Sequence, residues 1–156
     1  MASETPVGAD RAARVALRVG ASGLPVRRVE PTLETQEFWD ATARGELLLR
    51  KCDDCSSTIW YPRAFCPACS SQNTSWIISS GRGTIYSFSI TRKGAGAWAE
   101  KGPYVIAYVE LEEGPRVLTN IVGCEVDSVS FGMAVSVVFD DTGEAMSIYR
   151  FAPSPA

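Results

Sequence analysis

Histidine is absent from all 156 residues, and its absence closes several catalytic routes at once. Without it there is no Ser-His-Asp or Cys-His nucleophile system, no imidazole base and no His-ligated metal. Long apolar runs are missing too. Nothing approaches the ~20 residues of a membrane span, and no charged n-region followed by an apolar h-region opens the chain, so a soluble, cytoplasmic protein is expected. Basic residues are not in surplus either. With 15 Lys and Arg against 18 Asp and Glu, the net charge is −3, which argues against a broad non-specific nucleic-acid surface.

What is present starts with four cysteines: Cys52 and Cys55 in C-D-D-C, then ten residues, then Cys66 and Cys69 in C-P-A-C. Each C-x-x-C can turn two sulfurs toward one point, and two such knuckles complete a tetrahedron that suits zinc, with iron the other metal this spacing admits. Two disulfides or two redox dithiols are the competing readings. The expected cytoplasmic setting and the lack of a βαβ pattern weigh against them. A site filled by four thiolates keeps no open position for water, so its role is structural. Lys51 and Arg63 lie close enough in sequence to relieve thiolate charge. The fifth cysteine, Cys124, is followed by Glu125 and has no base to activate it, so it reads as a small core or loop residue rather than a nucleophile.

Forty-six per cent hydrophobic residues supply a real core. Residues 1–30, rich in glycine and proline with little apolar periodicity, are expected to form a flexible arm, in which Arg11, Arg14 and Arg18 stand at near-helical spacing. Residues 31–80 should hold a helix and a zinc ribbon. The helix is expected to open at Pro31 with Thr32 as N-cap, to carry Leu33, Phe38 and Trp39 on one face with Ala41 or Thr42, and to end at Gly45. Glu46 to Arg50 leads into the first knuckle, Thr58 to Tyr61 is a strand stopped by Pro62, and Thr74 to Ser79 is its return.

Residues 81–152 read as all β, leaving a short tail at 153–156. Thr84 to Ile90 alternates, with Ile85, Ser87 and Ser89 on one face and Tyr86, Phe88 and Ile90 on the other. Further strands follow at Tyr104 to Leu111, Arg116 to Val122, Ala134 to Phe139 and Met146 to Phe151. Five short strands with an irregular connection after the third fit an OB-type barrel. The fold class is therefore mainly β: an N-terminal helix, a rubredoxin-like zinc ribbon and a five-stranded OB-fold barrel.

The order of these motifs resembles a known family. It runs Phe38-Trp39, Gly45-Glu46-Leu47, the two knuckles around Tyr61-Pro62-Arg63, Gly81-x-Gly83-Thr84-Ile85-Tyr86-Ser87, Pro103-Tyr104-Val105, Val109-x-Leu111 and Gly132-Met133-x-Val135. Over about residues 31 to 152 this is similar to the OB-fold, zinc-ribbon proteins described as acyl-CoA-associated, long a domain family of unknown function. The resemblance implies a non-catalytic accessory subunit of a thiolase-superfamily enzyme, a steroid side-chain aldolase or a thiolase. It implies a hetero-oligomer with a thiolase-like or lipid-transfer-type acyl-CoA enzyme that holds the catalytic residues, and a coenzyme A thioester as shared ligand.

A coenzyme A chain needs cations for its phosphates and apolar surface for its pantetheine and adenine. Arg63, Arg82, Arg92 and Lys93 are the candidate cations, and Trp60, Phe65 and Trp98 the candidate surfaces. The alternative function is single-stranded nucleic-acid binding on a platform of Tyr86, Phe88, Tyr104 and Tyr108. From Gly81 onward, however, six Lys or Arg stand against nine Asp or Glu, a poor funnel for phosphates, so no nucleic-acid partner is expected.

Overall fold

The structure, a computed structural model, describes residues 18–154. Two short strands, β1 (Arg18–Val19) and β2 (Pro25–Val26), pair as a hairpin and precede α1 (Gln36–Ala43), the one α-helix among the described residues. Strands β3 (Leu48–Cys52), β4 (Thr58–Ile59) and β5 (Thr74–Ile78) form a sheet in the order β4-β3-β5. Then β6 (Arg82–Thr91), β7 (Tyr104–Leu111), β8 (Arg116–Ile121), β9 (Ala134–Asp141) and β10 (Ser147–Pro153) close a barrel in the order β10-β8-β7-β6-β9. This is the expected mainly β architecture. The irregular connection after the third barrel strand is a 3-10 turn at Val126–Ser128, and it lets β10 lie parallel to β8.

The helix is shorter than its sequence suggests. Thr32 does not cap it: the Thr32 carbonyl accepts from the Thr35 N–H in an isolated turn, the Thr35 hydroxyl accepts from the Thr32 N–H, and helical bonding starts at Trp39 N–H to Thr35. Threonine hydroxyls compete here for the bonds a helix would use. Leu33 is consequently fully exposed, while Phe38, Ala41 and Thr42 make the buried face. The far end follows expectation. Gly45 sits at φ 74°, its N–H bonds Thr42, and the Glu46 N–H reaches back to Ala41, the paired contacts of a glycine-terminated helix.

In β6 the alternation breaks. A bulge between Ile85 and Ser87 leaves Tyr86 without a partner, so Ile85 pairs Val109 while Phe88 and Ile90 pair Ala107 and Val105. Those β7 residues are buried, so Ile85, Phe88 and Ile90 share the core face and Tyr86 points outward. The strict two-faced reading of Thr84 to Ile90 is corrected by that one extra residue. Gly83 is required by close approach: a Cβ there would lie 2.5 Å from the Glu110 carbonyl oxygen, where β6 is hydrogen-bonded on both sides.

One core runs through the molecule. Phe38, Leu47 and Leu49 from the helix and ribbon join Ile85, Val109, Val117, Val135 and Phe151 from the barrel, all at or below 1% exposure. The ribbon's separate core is only Cys52, Ile59 and Cys66. Residues 1–17, including Arg11 and Arg14 of the expected basic helix, lie outside the described residues. From Arg18 onward the expected flexible arm is instead folded onto the barrel, with Leu24, Pro25 and Val26 buried.

That docking rests on a polar network. Arg150 and Asp140 pair through Nε and a carboxylate oxygen with side chains only 3% and 4% exposed. Arg150 also donates to the Pro25 carbonyl at 2.9 Å and to Asn120, and Asp140 accepts from the Ser22 N–H at 2.9 Å and from its hydroxyl. A buried charge needs partners on every side, and the hairpin supplies the missing ones. The sequence reading missed this network, because charges spread over 18–150 leave no local pattern.

Candidate metal centre and its surroundings

Two copies of one turn build the site. In C-D-D-C-S-S the Cys52 carbonyl accepts from Ser56 N–H and the Cys52 N–H donates to Ser57; in C-P-A-C-S-S the same bonds join Cys66 with Ser70 and Ser71, all at 2.8–2.9 Å. Ser56 and Ser70 take matching positive φ values of 61° and 62°. Sequence reasoning used the cysteines and passed over the serine pairs, whose repetition was the available signal. The strand β3 delivers the first knuckle, and β5 is tied to it by Arg50, which donates to Thr74 at 3.1 Å and lies 4.2 Å over the Trp76 ring.

The four sulfurs all lie within 4.8 Å of one another, with Cys52 to Cys69 and Cys55 to Cys66 each at 3.6 Å. A bonded sulfur pair would be ~2.05 Å apart, so these are not disulfides. A tetrahedron with metal–sulfur bonds of ~2.3 Å has edges of ~3.8 Å, close to what is seen. The donor set therefore fits a thiophilic dication. Charge supports the fit: the Ser57 hydroxyl, 3.2 Å from Cys55 Sγ, and its backbone N–H lower that thiol to about 6. Cys69 goes the other way. The Ser71 N–H would lower it, but the neighbouring Cys55 and Cys52 sulfurs and burial together push it up to about 12. Four adjacent thiolates need a cation to coexist.

The remaining candidates do not converge on one site. Trp60 is not a free surface: it stands edge-on to Phe38 at 5.5 Å and to Tyr149 at 5.6 Å, inside a cluster with Trp39 and Tyr61 that joins helix, ribbon and barrel. This also fixes Phe38, at 0% exposure, as the clamp between them. Arg63 donates from Nε to the Tyr61 carbonyl, and Phe65 is half-exposed beside the second knuckle. Lys51 is exposed on β3. Arg82 makes a two-pronged pair with Glu112, both contacts 2.9 Å, at the start of β6. Arg92, paired with Asp127 at 2.5 Å, and Lys93 follow the other end of that ten-residue strand, ~30 Å away. There Trp98, in a 3-10 segment (Gly96–Lys101), leans on Tyr104 at 4.6 Å. Of the aromatic platform, Tyr86 and Tyr108 are exposed and Phe88 faces the core. Cys124 is partly buried against the core. No helix among the described residues is long and apolar enough to cross a membrane.

A helix-clamped C-x-x-C/C-x-x-C ribbon on a closed five-stranded barrel defines a zinc-ribbon, OB-fold protein. The match to known families is of the same kind: residues 39–75 match the family "ChsH2, rubredoxin-like zinc ribbon domain" and residues 76–140 match "ChsH2, C-terminal OB-fold domain". A DUF35 domain-containing scaffold protein of Methanothermobacter thermautotrophicus is 36% identical over 108 residues, which cover 68% of this chain and 81% of that one. The chain belongs to this DUF35 family. It is also 30% identical over 132 residues to the 3-oxo-4,17-pregnadiene-20-carboxyl-CoA hydratase alpha subunit of Mycobacterium tuberculosis, covering 81% of this chain but 40% of that longer one. Among solved structures, a chain of an "Ltp2-ChsH2(DUF35) aldolase" superposes with a TM-score of 0.72 at 28% identity, covering 81% of this chain and 98% of that one.

Proposed function

We propose that this chain is a non-catalytic accessory subunit that completes an acyl-CoA carbon–carbon bond enzyme of the thiolase superfamily, a steroid side-chain aldolase or a thiolase. The observation that carries this reading is the superposition on nearly the whole of a chain from an aldolase assembly. The site chemistry supports it. The one group of His, Cys, Asp or Glu side chains among the described residues that is close enough to hold a metal is the sulfur tetrad, and a tetrad committed to metal has no valence left for substrate.

In this reading Cys52, Cys55, Cys66 and Cys69 hold a structural zinc ion, whose contribution is to fix the two knuckles. The chain's own residues then present a rigid surface: Phe38 and Tyr149 lock ribbon to barrel, and the Arg82–Glu112 and Arg92–Asp127 pairs neutralise the strand ends. A coenzyme A thioester held by the partner would meet Lys93 and Trp98 at one end of the barrel, or Arg63 and Phe65 on the ribbon. A reducing, cytoplasmic setting keeps the thiolates available for the metal.

The test is to co-purify the tagged chain with its partner from the native host and assay both preparations on β-hydroxyacyl-CoA thioesters and, with free CoA, on β-ketoacyl-CoA thioesters. A stoichiometric thiolase-superfamily chain, with turnover only by the complex, is expected. Turnover by the isolated chain, or a stoichiometric complex with some other protein class, overturns the reading.

A further inference from the structure

The outer wall of the barrel is covered unevenly. Over β10 and β9 the 18–26 hairpin lies on Arg150 and Asp140 and seals them. Over β6, β7 and β8 nothing among the described residues does so. The β6 bulge turns Tyr86 outward, and the alternation of β7 and β8 adds Ile106, Tyr108 and Leu118, exposed by 52%, 37%, 47% and 51% in that order. Trp98 and Tyr104 wall a hollow of about 340 Å³ with Ile106 and Leu118, and a second of about 190 Å³ continues past Tyr108.

We infer that this face is the docking surface for the partner subunit, and that the partner meets it with an uncharged apolar patch. The inference rests on the accessory-subunit reading and deepens it. Two properties choose the occupant. The first is charge: the charged side chains on β6, β7 and β8 are Arg82, Glu110 and Arg116, and each is already neutralised within the chain. Arg82 pairs with Glu112, while Arg116 pairs with Glu110 at 2.7 Å and lies 3.4 Å over the Tyr86 ring. A nucleic-acid strand would need free cations here, whereas an apolar protein patch needs none.

The second is area. Half of two tyrosines and a leucine, with a third of an isoleucine, exposes roughly 300–400 Å² of mostly apolar surface, the size of the largest patch on a typical monomer, which is often functional. A stable interface takes ~800 Å² from each partner, so this patch is the dry centre of a larger contact whose rim is Ser87, Ser89 and Asn120. The barrel is closed, so contact is made through side chains and not by adding a strand to an edge.

The experiment places a photo-crosslinking benzoyl-phenylalanine at position 108 of the full chain in the native host, beside tagged wild type. Covalent capture of a thiolase-superfamily chain by the probe is the expected result. Wild type that co-purifies with that chain while the probe captures none overturns the docking face and leaves the accessory-subunit reading standing. Wild type without such a partner removes both. Capture of a second copy, or tight salt-sensitive binding of a poly-dT oligonucleotide that Tyr108→Ala abolishes, also overturns the proposal. Independently, Tyr108→Glu with Leu118→Glu keeps zinc content and circular dichroism but lowers co-purified partner at least about tenfold. An unchanged yield refutes the assignment.

Discussion

Ribbon and barrel are β units built on opposite principles. The barrel closes on itself and fills its interior with Ile85, Val109, Val117, Val135 and Phe151, each at or below 1% exposure. The ribbon has three short strands, and Ile59 is the one fully buried aliphatic side chain in its separate core. One isoleucine contributes about 2 kcal/mol, far below the conformational entropy of ordering some thirty residues. The ribbon therefore depends on the sulfur tetrad inside it and, outside it, on the shared core that Phe38, Leu47, Leu48 and Leu49 enter. Covalent-strength ligation in one region does the work that apolar volume does in the other.

The sharpest way to break this contrast is to take the metal. Strong chelation, or Cys52→Ser with Cys66→Ser, is expected to unfold the ribbon while amides of β6 to β10 keep their protection in hydrogen exchange, with zinc analysis falling from one equivalent to none. Simultaneous loss of protection in the barrel would show that the shared core makes both regions one cooperative unit. Next comes the clamp. Phe38→Ala removes the ring that touches Trp39, Trp60, Tyr61 and Tyr149 and should cost about 4 kcal/mol in urea unfolding, separating ribbon and barrel into two transitions.

A smaller effect tests whether the barrel's outer wall obeys the apolar rule of its interior. Asp140→Asn leaves the Arg150 guanidinium buried without its counter-charge and should cost about 3 kcal/mol. Replacing both partners with Leu and Met should recover only part of it, because the Pro25 carbonyl and the Ser22 N–H then lose their partners, read as the midpoint of denaturation. The smallest effect is on the junction. Burial, reinforced by the Tyr61 hydroxyl, raises the Tyr149 phenol well above its usual value near 10. The native state thus keeps a proton that the unfolded chain releases. Stability should be full below about pH 10 and fall as pH rises further, and Tyr149→Phe should flatten that alkaline loss in thermal melts.

The contrast also explains what the sequence could disclose. The tetrad was legible because its ligands are close in the chain and their spacing is set by the turn geometry itself. The barrel strands were legible from alternation, and β6 misled because one unpaired residue at Tyr86 reverses every face beyond it. The early helix start was over-read because Thr32 and Thr35 satisfy each other in a turn, which composition alone does not distinguish from a cap. Trp60 looked available for ligand since nothing in W-Y-P marks its ring as buried, and two of its three ring partners, Phe38 and Tyr149, come from distant segments. The hairpin at 18–26 was invisible for the same reason: its two-residue strands have no period, and its partners are Asp140, Thr142 and Arg150.

That last distance sets an order of events during synthesis. Ser22 and Pro25 contact residues 118 and 125 positions further on, so this segment, made before the barrel, has nowhere to dock until β9 and β10 exist. While it waits, the arm is the part of the nascent chain open to proteases and chaperones. Its landing on Arg150 is the step that reports a finished barrel.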